Sequence, residues 1–555
     1  ASEYERARTN IITQYESYFN ERSKTRSINY AEEYINHFTE GGYIPGIEME
    51  YNLINMLAPN IPVELVNQYA MELVGDENIF ITYEGPEKEG VNIPTREQLL
   101  TWLEEVRKEE IEPIAETLSN EPLLSEMPKG GTIVKEEHDK TYDATIYTLS
   151  NGVRVIIKST NLKDDEILMT ATSPGGSSLF PESDPINIQV YGDLCNIGGL
   201  GNFSASDLNK ILAGKKASLS PSISILDEGF NGSSNVRDFE TLLQLVYLNF
   251  TAPRMDQDAF ESLIGRTRSQ LEAMDAMPEM KFYKKAPEIL YENPARFRQI
   301  EAADLDKVNY ETIMNWRKER YADASDFTFI FVGNIDAKEH KDLLALYLGS
   351  LPSIDRKESF KPINVNYKSG MQAETIHQTM DNPKAIVMDL YWGNMEFNYK
   401  NVMIKDMLKQ ILTIVYQEKI REDEGGTYGV GVSSNLEYYP AGRAAIQVSF
   451  ETENGKETYL NEIVKREFEA IAKNGPRAED FAKVKEYVLK QRADGLQHNS
   501  YWRNSISQYY RLGLDNYSDF ENIINSITPA DIQKAAKTII GAGNLTELYF
   551  VGDKK

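Results

Sequence analysis

Residues 305–336 read LDKVNYETIMNWRKERYADASDFTFIFVGNID, and this stretch decides the fold. Its apolar residues first follow helical spacing, a short polar turn comes next, and a run of β-forming residues then ends at Gly333. The same order occurs in two other places, which are residues 61–88, with a run ending at Gly85, and residues 527–555, with a run ending at Gly552. These glycines are 248 and 219 residues apart, which suits whole domains rather than a short repeat. We therefore predict three domain ends, of which the last two belong to complete domains.

The predicted strands and helices occur in a similar order in the middle unit and in the last unit of the chain. The predicted elements of the middle unit are a hairpin around Asn151-Gly152, a strand over 167–172, a helix starting at Asp184-Pro185, an alternating segment over 217–225, and helices over 239–250 and 256–274. The predicted elements of the last unit are strands over 374–380 and 384–392, a long helix over 399–422, strands within 427–450, and helices over 455–473 and 477–497. Strands and helices cluster in each unit without strict βαβ alternation. We therefore predict an α+β fold of tandem homologous domains, each a mostly antiparallel sheet with helices packed on one face.

Polar connectors that contain proline set the predicted domain boundaries. The predicted divisions are the end of a preceding domain over 1–111, a linker over 112–135, a complete domain over 136–352, a linker over 353–369, and a last domain over 370–555. The opening residues look like the inside of a charged helix, and no signal peptide is visible. We expect the chain to be part of a larger protein.

Composition excludes several classes of function. The chain has 59 basic and 86 acidic residues, a net charge of −27, which argues against a protein that binds nucleic acid through a basic surface. No apolar run reaches the ~18 residues that a membrane span needs. The single cysteine, Cys195, excludes an intrachain disulfide framework, and we predict that it is a small core residue. Only five histidines occur and the closest two are 37 residues apart, so no helix carries a pair of zinc-binding histidines.

Three phrases resemble the pitrilysin/insulinase-type zinc peptidases. They are TLSNGVRVIIKST (148–160), FTFIFVGNIDAKEHKDLLALYLGSLPS (327–353) and KIREDEGGTYGVGVSSN (419–435). The likeness covers nearly the whole chain and is greatest to the C-terminal, non-zinc half of large bacterial members. It implies a metallohydrolase-like fold, a peptide or unfolded polypeptide as substrate, and zinc bound in an N-terminal half of the parent protein.

The family's inverted zinc motif, His-x-x-Glu-His, is degenerate in the middle domain. Aligned through the following GGLGNFS, the motif falls on residues 190–194, so that Val190 and Leu194 replace both histidines and Asp193 replaces the general base. Neither valine nor leucine offers a lone pair to zinc. The resemblance thus implies a third domain without zinc, and no cofactor in this chain.

The family's C-terminal half is known for an arginine followed seven residues later by a tyrosine, and Arg421 and Tyr428 have that spacing. In relatives these side chains hold the substrate near the scissile carbonyl, and the resemblance implies the same role here. A plainer interpretation makes Arg421 a helix-terminal residue bonded to local carbonyls and Tyr428 a packed strand residue. The acidic run Glu422–Glu424 is expected to be a solvated loop, and His377 a structural strand residue.

The resemblance implies that this chain encloses and positions peptides for a zinc endopeptidase and is inactive alone. One alternative is a catalytically inactive scaffold or peptide-binding module. A second is an independent hydrolase whose site is assembled from scattered residues. Bacterial members of this type work in the cell envelope, so a periplasmic or cell-envelope location is expected.

Overall fold

A computed structural model describes residues 2–73, 79–85, 92–110 and 121–554. The helices of these residues are α1 (Ser2–Asn20), α2 (Ser27–Glu40), α3 (Ile47–Leu57), α4 (Val63–Leu73), α5 (Arg96–Lys108), α6 (Pro185–Leu194), α7 (Ala205–Ile211), α8 (Phe239–Thr251), α9 (Gln257–Asp275), α10 (Met280–Leu290), α11 (Tyr310–Arg320), α12 (Ala337–Tyr347), α13 (Tyr399–Tyr416), α14 (Glu457–Asn474), α15 (Ala478–Gly495), α16 (Asn499–Leu512), α17 (Phe520–Ser526) and α18 (Pro529–Gly541). The strands are β1 (Ile133–Asp139), β2 (Ala144–Leu149), β3 (Arg154–Ser159), β4 (Ile167–Pro174), β5 (Ala217–Ile223), β6 (Asp227–Ser234), β7 (Thr328–Gly333), β8 (Met371–Met380), β9 (Lys384–Asn394), β10 (Val430–Glu437), β11 (Arg443–Glu453) and β12 (Asn544–Lys554).

The chain divides into two compact units. The first comprises Ala1–Pro122 and Ser206–Lys215, and the second comprises Leu123–Ala205 and Lys216–Lys555. Both sheets lie in the second unit. The predicted domain boundaries stay a prediction, and part of the predicted linker over 112–135 lies outside the described residues.

The first unit is helical and leaves its apolar side chains uncovered. None of the helices α1 to α5 contains a buried residue. The predicted helix of the first repeat is present as α4, but the predicted strand is wrong, because residues 79–85 form neither helix nor strand and Phe80 is 96% exposed. A strand needs a neighbour to satisfy its backbone donors and acceptors, and the described part of this unit contains none.

The first sheet has seven strands in the order β1-β2-β3-β7-β4-β6-β5. Only β3 and β7 are parallel, and every other neighbouring pair is antiparallel. The predicted hairpin is the β2–β3 pair, and Gly152 in its turn has a φ of +90° that favours glycine. The helix predicted within residues 305–336 is α11, and the strand that follows it, β7, lies in the middle of the sheet. This central position explains why residues 328–333 are nearly all apolar.

The second sheet has five strands in the order β10-β11-β9-β12-β8. Strands β8 and β12 are parallel and the other pairs are antiparallel. The strand of the third repeat, β12, is an interior strand, as β7 is in the first sheet, and lies between β9 and the edge strand β8. The predicted fold class is confirmed, because both sheets are mostly antiparallel and each carries its main helical layer on one face.

Each sheet packs on helices from its own part of the chain. Phe329 of β7 and Val155 of β3 share a core with Leu242 of α8 and Leu344 of α12. In the second sheet, a larger core joins side chains of β9 and β11 to five helices, with members that include Val387, Ile446, Ile411 of α13, Phe468 of α14, Val484 of α15, Ile524 of α17 and Ile532 of α18. The apolar periodicity of α8 and α13 that predicted these helices is therefore the periodicity of their buried faces.

The opposite face of each sheet is covered by a helix from the other part of the chain. Helix α16 lies across the first sheet, where Ile506 packs among Ile156, Ile330 and Val332. Helix α10 lies across the second sheet, where Phe282, Ile289 and Leu290 pack with apolar residues of β9 and β12 that include Met388 and Phe550. The two sheets are thus held together by a reciprocal exchange of helices, which no sequence pattern predicted.

Candidate functional site

The residues Arg421 and Tyr428 lie on the connection from α13 to β10. Helix α13 continues without a break into a π-helical turn, Gln417–Glu422, and the amide of Asp423 donates to the Glu418 carbonyl at 2.9 Å across that turn. Ile420 in the turn is fully buried. Because successive helical residues point in different directions, the burial of Ile420 leaves the adjacent Arg421 exposed.

Two glycines shape the loop after this turn. Gly425 has a φ of +57°, a conformation that most side chains avoid, and a Cβ there would meet open space. Gly426 is buried, and a Cβ there would lie 2.6 Å from the Cδ1 atom of Leu460. The Gly426 amide donates to the Ile420 carbonyl at 3.1 Å, and the hydroxyl of Thr452 donates to the Gly426 carbonyl at 2.5 Å. The base of the loop is therefore fixed, although its tip is open.

Tyr428 lies two residues before β10 and its side chain is fully exposed, at 100%. Within the described residues, neither the Arg421 guanidinium nor the Tyr428 hydroxyl has a hydrogen-bond or ion-pair partner. This arrangement differs from the plainer sequence interpretation, in which both side chains bond or pack locally. Two unpartnered donors on one short, anchored segment are free to bind an acceptor that comes from outside.

The acidic and basic residues beside the loop are engaged with one another. Lys419 pairs with Glu418 at 2.8 Å and with Asp423 at 2.9 Å, and these carboxylates raise the pKa of Lys419. Glu418 also accepts from Arg477 at 2.7 Å, and its two cationic partners lower its pKa. The acidic run Glu422–Glu424 is exposed, as predicted for a solvated loop. Glu418, Lys419 and Asp423 thus pair with one another or with Arg477, and none of them pairs with Arg421.

Glu424 in that run has one further partner. The hydroxyl of Tyr459, on the first turn of α14, donates to Glu424 Oε1 at 3.0 Å, and this bond raises the pKa of Tyr459. The loop therefore touches α14 twice, through Glu424 and through Gly426.

The degenerate zinc positions lie on α6, in the part of the chain that forms the first sheet. Helix α6 begins as predicted, with the Asp184 side chain accepting from the Asn187 amide at 3.4 Å and Pro185 at its first position. Val190 and Leu194 are buried among apolar side chains that include Phe180 and Ile313, whereas Asp193 is exposed. The side chains present do not fit zinc, because the two histidine positions form part of an apolar core.

Cys195 is buried beside this core, as predicted. Burial raises the pKa of its thiol to about 11. Across the described ranges there is no group of three or more His, Cys, Asp or Glu side chains that could hold a metal ion. Likewise, none of the helices in the described part of the chain is long and apolar enough to cross a membrane.

His377 lies on β8, with its side chain exposed and its Nδ1 atom 3.3 Å from Asp553 Oδ2 on the neighbouring strand β12. It is a strand residue, as expected, and it is not close to Arg421 or Tyr428 along the sheet order.

The sequence analysis missed one polar cluster near the site. Asp389 of β9, Glu547 of β12 and Asn461 of α14 meet in the interior of the last sheet. A signal was present, since Asp389 is a lone carboxylate within the apolar run of residues 385–392. Buried carboxylates of this kind require partners.

Proteins of known sequence and structure are similar to this chain. Residues 307–488 match the family model described as the peptidase M16 inactive domain. A zinc protease PQQL-like protein of Arabidopsis thaliana is 26% identical over 519 residues, which cover 90% of this chain and 51% of the relative. The chain therefore spans about half the length of that relative.

Solved structures share the fold. The periplasmic protease PqqL of Escherichia coli matches with a TM-score of 0.69 at 16% identity, over 100% of this chain and 61% of that one. A mutant of the ferredoxin protease FusC, solved in complex with Arabidopsis ferredoxin, matches with a TM-score of 0.70 at 16% identity, over 99% of this chain and 60% of that one. Taken together, the chain is similar in sequence to a PqqL-like zinc protease, and residues 307–488 match the peptidase M16 inactive domain.

Proposed function

We propose that this chain is the C-terminal, substrate-positioning half of a zinc-dependent endopeptidase. The observation that carries the proposal is the pair of exposed, unpartnered donors, Arg421 and Tyr428, on a loop whose base is fixed. The degenerate motif at Val190, Asp193 and Leu194 leaves this half without zinc ligands in the third domain. Zinc, its ligands and the general base therefore come from an N-terminal half of the parent protein.

The chemistry assigned to the pair is the stabilisation of negative charge on a peptide carbonyl. Attack of water on a peptide bond places that charge on the carbonyl oxygen, and donors aimed at it in advance lower the barrier. Arg421 offers a planar fork of N–H donors and Tyr428 offers one hydroxyl. Loss of one such donor typically costs about 10²- to 10³-fold in rate.

The first unit supports the proposal of a partner half. Its helices bury no residue of their own, and exposed apolar side chains in it include Ile35 and Phe38 of α2 and Met71 and Leu73 of α4. Apolar surface of this extent is unusual on a free protein and marks a surface that another part of the parent covers. We propose that the preceding half of the parent protein covers this surface. Residues 1–111 would then be the end of the second domain, residues 136–352 the third domain and residues 370–555 the fourth.

The substrate assigned is a peptide or an unfolded polypeptide. Two solved structures with this fold are a periplasmic protease and a protease in complex with a ferredoxin, which is consistent with a protein or peptide substrate. We likewise propose a periplasmic or cell-envelope location for the parent protein.

The test is hydrolysis of a quenched fluorescent peptide by this chain, by the preceding half of the parent, and by both together. We expect cleavage only in the mixture, loss of cleavage with a zinc chelator, and a fall of at least about tenfold with Arg421→Ala. The matched control is Arg466→Ala, since Arg466 is exposed on α14 and pairs with the adjacent Glu467.

Two other outcomes would contradict the proposal. Cleavage by this chain alone that a chelator does not affect would make it an independent hydrolase. Tight binding of the peptide by the mixture, without any cleavage, would make it an inactive peptide-binding scaffold.

A further inference from the structure

Two carboxylates face each other in the interior of the last sheet. Asp389 on β9 and Glu547 on β12 are directly opposite residues of an antiparallel pair, and both are buried. Asn461 of α14, which has no exposed surface, lies over them. Its Nδ2 atom is 3.1 Å from Asp389 Oδ1 and 3.2 Å from Glu547 Oε1, so one amide group joins both strands to the helix.

The neighbouring groups hold this cluster together. Tyr391 donates to Asp389 at 3.1 Å, Tyr549 donates to Glu547 at 3.1 Å, and Lys465 lies 2.6 Å from Glu547. Burial and the charge of Glu547 raise the pKa of Asp389 to about 7, whereas the bond from Asn461 acts in the opposite direction. The Nδ2 atom of Asn461 also lies 2.6 Å from the Tyr549 hydroxyl, so the amide belongs to a network of buried polar groups that defines its place on the sheet.

The residues just before Asn461 hold the loop of the proposed site. Leu460 contacts Gly426, where a Cβ would lie 2.6 Å away, and Tyr459 donates to Glu424 at 3.0 Å. Three consecutive residues of α14 thus connect the buried carboxylates to the loop. The hydrogen bonds of Asn461 add a directional constraint to the apolar packing of α14 on the sheet.

Asn461 is also the polar anchor at this end of the helix. The residue before the first turn, Lys456, makes no side-chain capping bond to the helix. The hydrogen bonds of Asn461, one turn further along, join this end of the helix to the sheet.

We infer that Asn461 is a positioning residue, which holds the loop of Arg421 and Tyr428 in place by fixing the start of α14 on Asp389 and Glu547. The inference rests on the proposed role of Arg421 and Tyr428. It assigns no contact between Asn461 and substrate.

Hydrogen–deuterium exchange on the full 555-residue chain tests the inference without any need for activity. We expect Asn461→Ala to speed exchange in residues 420–430 by about tenfold or more, at a temperature well below unfolding. The matched control is Asn249→Ala, which removes an equally buried asparagine from α8 in the other part of the chain. Both changes reduce global stability, but only the first should loosen residues 420–430.

A second variant tests the bond itself. Asn461→Asp alone brings three carboxyl groups together and should also loosen the loop. Adding Asp389→Asn exchanges the two groups, restores one amide among two carboxyls, and should bring exchange back towards that of the original chain. In the mixture with the preceding half, Asn461→Ala should lower kcat more than it raises KM, because it misplaces donors rather than removing them.

Unchanged exchange over residues 420–430 in Asn461→Ala would overturn the inference, whether or not the mixture cleaves peptide. If exchange increases as expected but Arg421→Ala has no effect on cleavage, the positioning by Asn461 stands and the proposed role of Arg421 is wrong. The two failures are therefore distinguishable.

Discussion

Arg317 and Asn249 form a buried pair, with the Arg317 Nη2 atom 2.8 Å from Asn249 Oδ1 and neither side chain reaching solvent. Arg317 also donates to the Asn196 side chain at 2.8 Å and to the Cys195 carbonyl. All of these acceptors are neutral. The guanidinium thus binds the end of α6, where the degenerate zinc positions lie, to α8 and α11.

We expect Arg317→Ala to lower the free energy of unfolding by about 3 kcal/mol, because it leaves at least two buried acceptors without donors. Urea denaturation followed by circular dichroism measures the change. The exposed Arg466→Ala should alter it by less than about 0.5 kcal/mol. Equal effects of the two substitutions would show that the buried bonds of Arg317 contribute little.

Gly426→Ala should damage the loop of Arg421 and Tyr428 more than Gly425→Ala does. The added methyl at Gly426 meets Leu460, whereas the one at Gly425 meets open space and costs only backbone strain of about 1 kcal/mol. We expect a loss of cleavage by the mixed halves of about tenfold or more for Gly426→Ala. Combining it with Leu460→Ala should recover part of that loss. The prediction is wrong if the two glycine variants behave alike.

Stability should fall as the pH rises from about 5 to 8. Burial raises the pKa of Glu228 to about 8, although Arg320 lies 3.5 Å away, because that arginine is shared with Glu319 and Glu358. Between these pH values the folded state keeps a proton on Glu228 that the unfolded state has released. The free energy of unfolding is therefore highest at low pH and falls as the pH approaches 8. One such proton gives a slope of about 1.4 kcal/mol per pH unit.

Urea denaturation across this range, with Glu228→Gln for comparison, checks the slope. Glu228→Gln should reduce the slope of the free energy of unfolding against pH. The slope that remains should reflect Asp389, whose raised pKa acts in the same direction. An identical slope in the variant would assign the proton to another group.

Trp502→Ala should loosen strands that are more than 150 residues away in the chain. Trp502 of α16 packs against the first sheet, with Lys158 of β3 over its ring at 4.5 Å and Tyr517 beside it at 4.9 Å. We expect faster hydrogen–deuterium exchange in β3 and β7, and a loss of stability of about 3 kcal/mol. Tyr487→Ala, at a half-exposed position on α15, is the control and should leave β3 and β7 unchanged.

Local chemistry made much of the fold predictable. Asn151-Gly152 identified the hairpin, Asp184-Pro185 identified the start of α6, and the spacing of apolar residues identified α8 and α13. The strand expected before Gly85 is absent from the described structure, because strand formation depends on neighbours that a local pattern cannot supply. The sheets on which α10 and α16 pack depend on contacts between distant segments, and a single sequence does not show such contacts.

Part of the proposed site could likewise be predicted from the sequence, and part of it could not. The resemblance of residues 419–435 to a peptidase family pointed to Arg421 and Tyr428, but their lack of partners among the described residues depends on the π-helical turn and on the burial of Ile420. The role inferred for Asn461 depends on three elements meeting, namely α14, β9 and β12. Only Asp389, a carboxylate in an apolar run, was visible as a signal.

The reciprocal exchange of α10 and α16 has a consequence for how the second unit unfolds. Neither sheet keeps both of its faces covered if the other is lost, so neither is expected to persist as an isolated folding unit. The two sheets should melt in a single cooperative transition, and a peptide-bond break between them should leave them associated. If the proposed function is correct, any movement that admits substrate must occur elsewhere than between these two sheets.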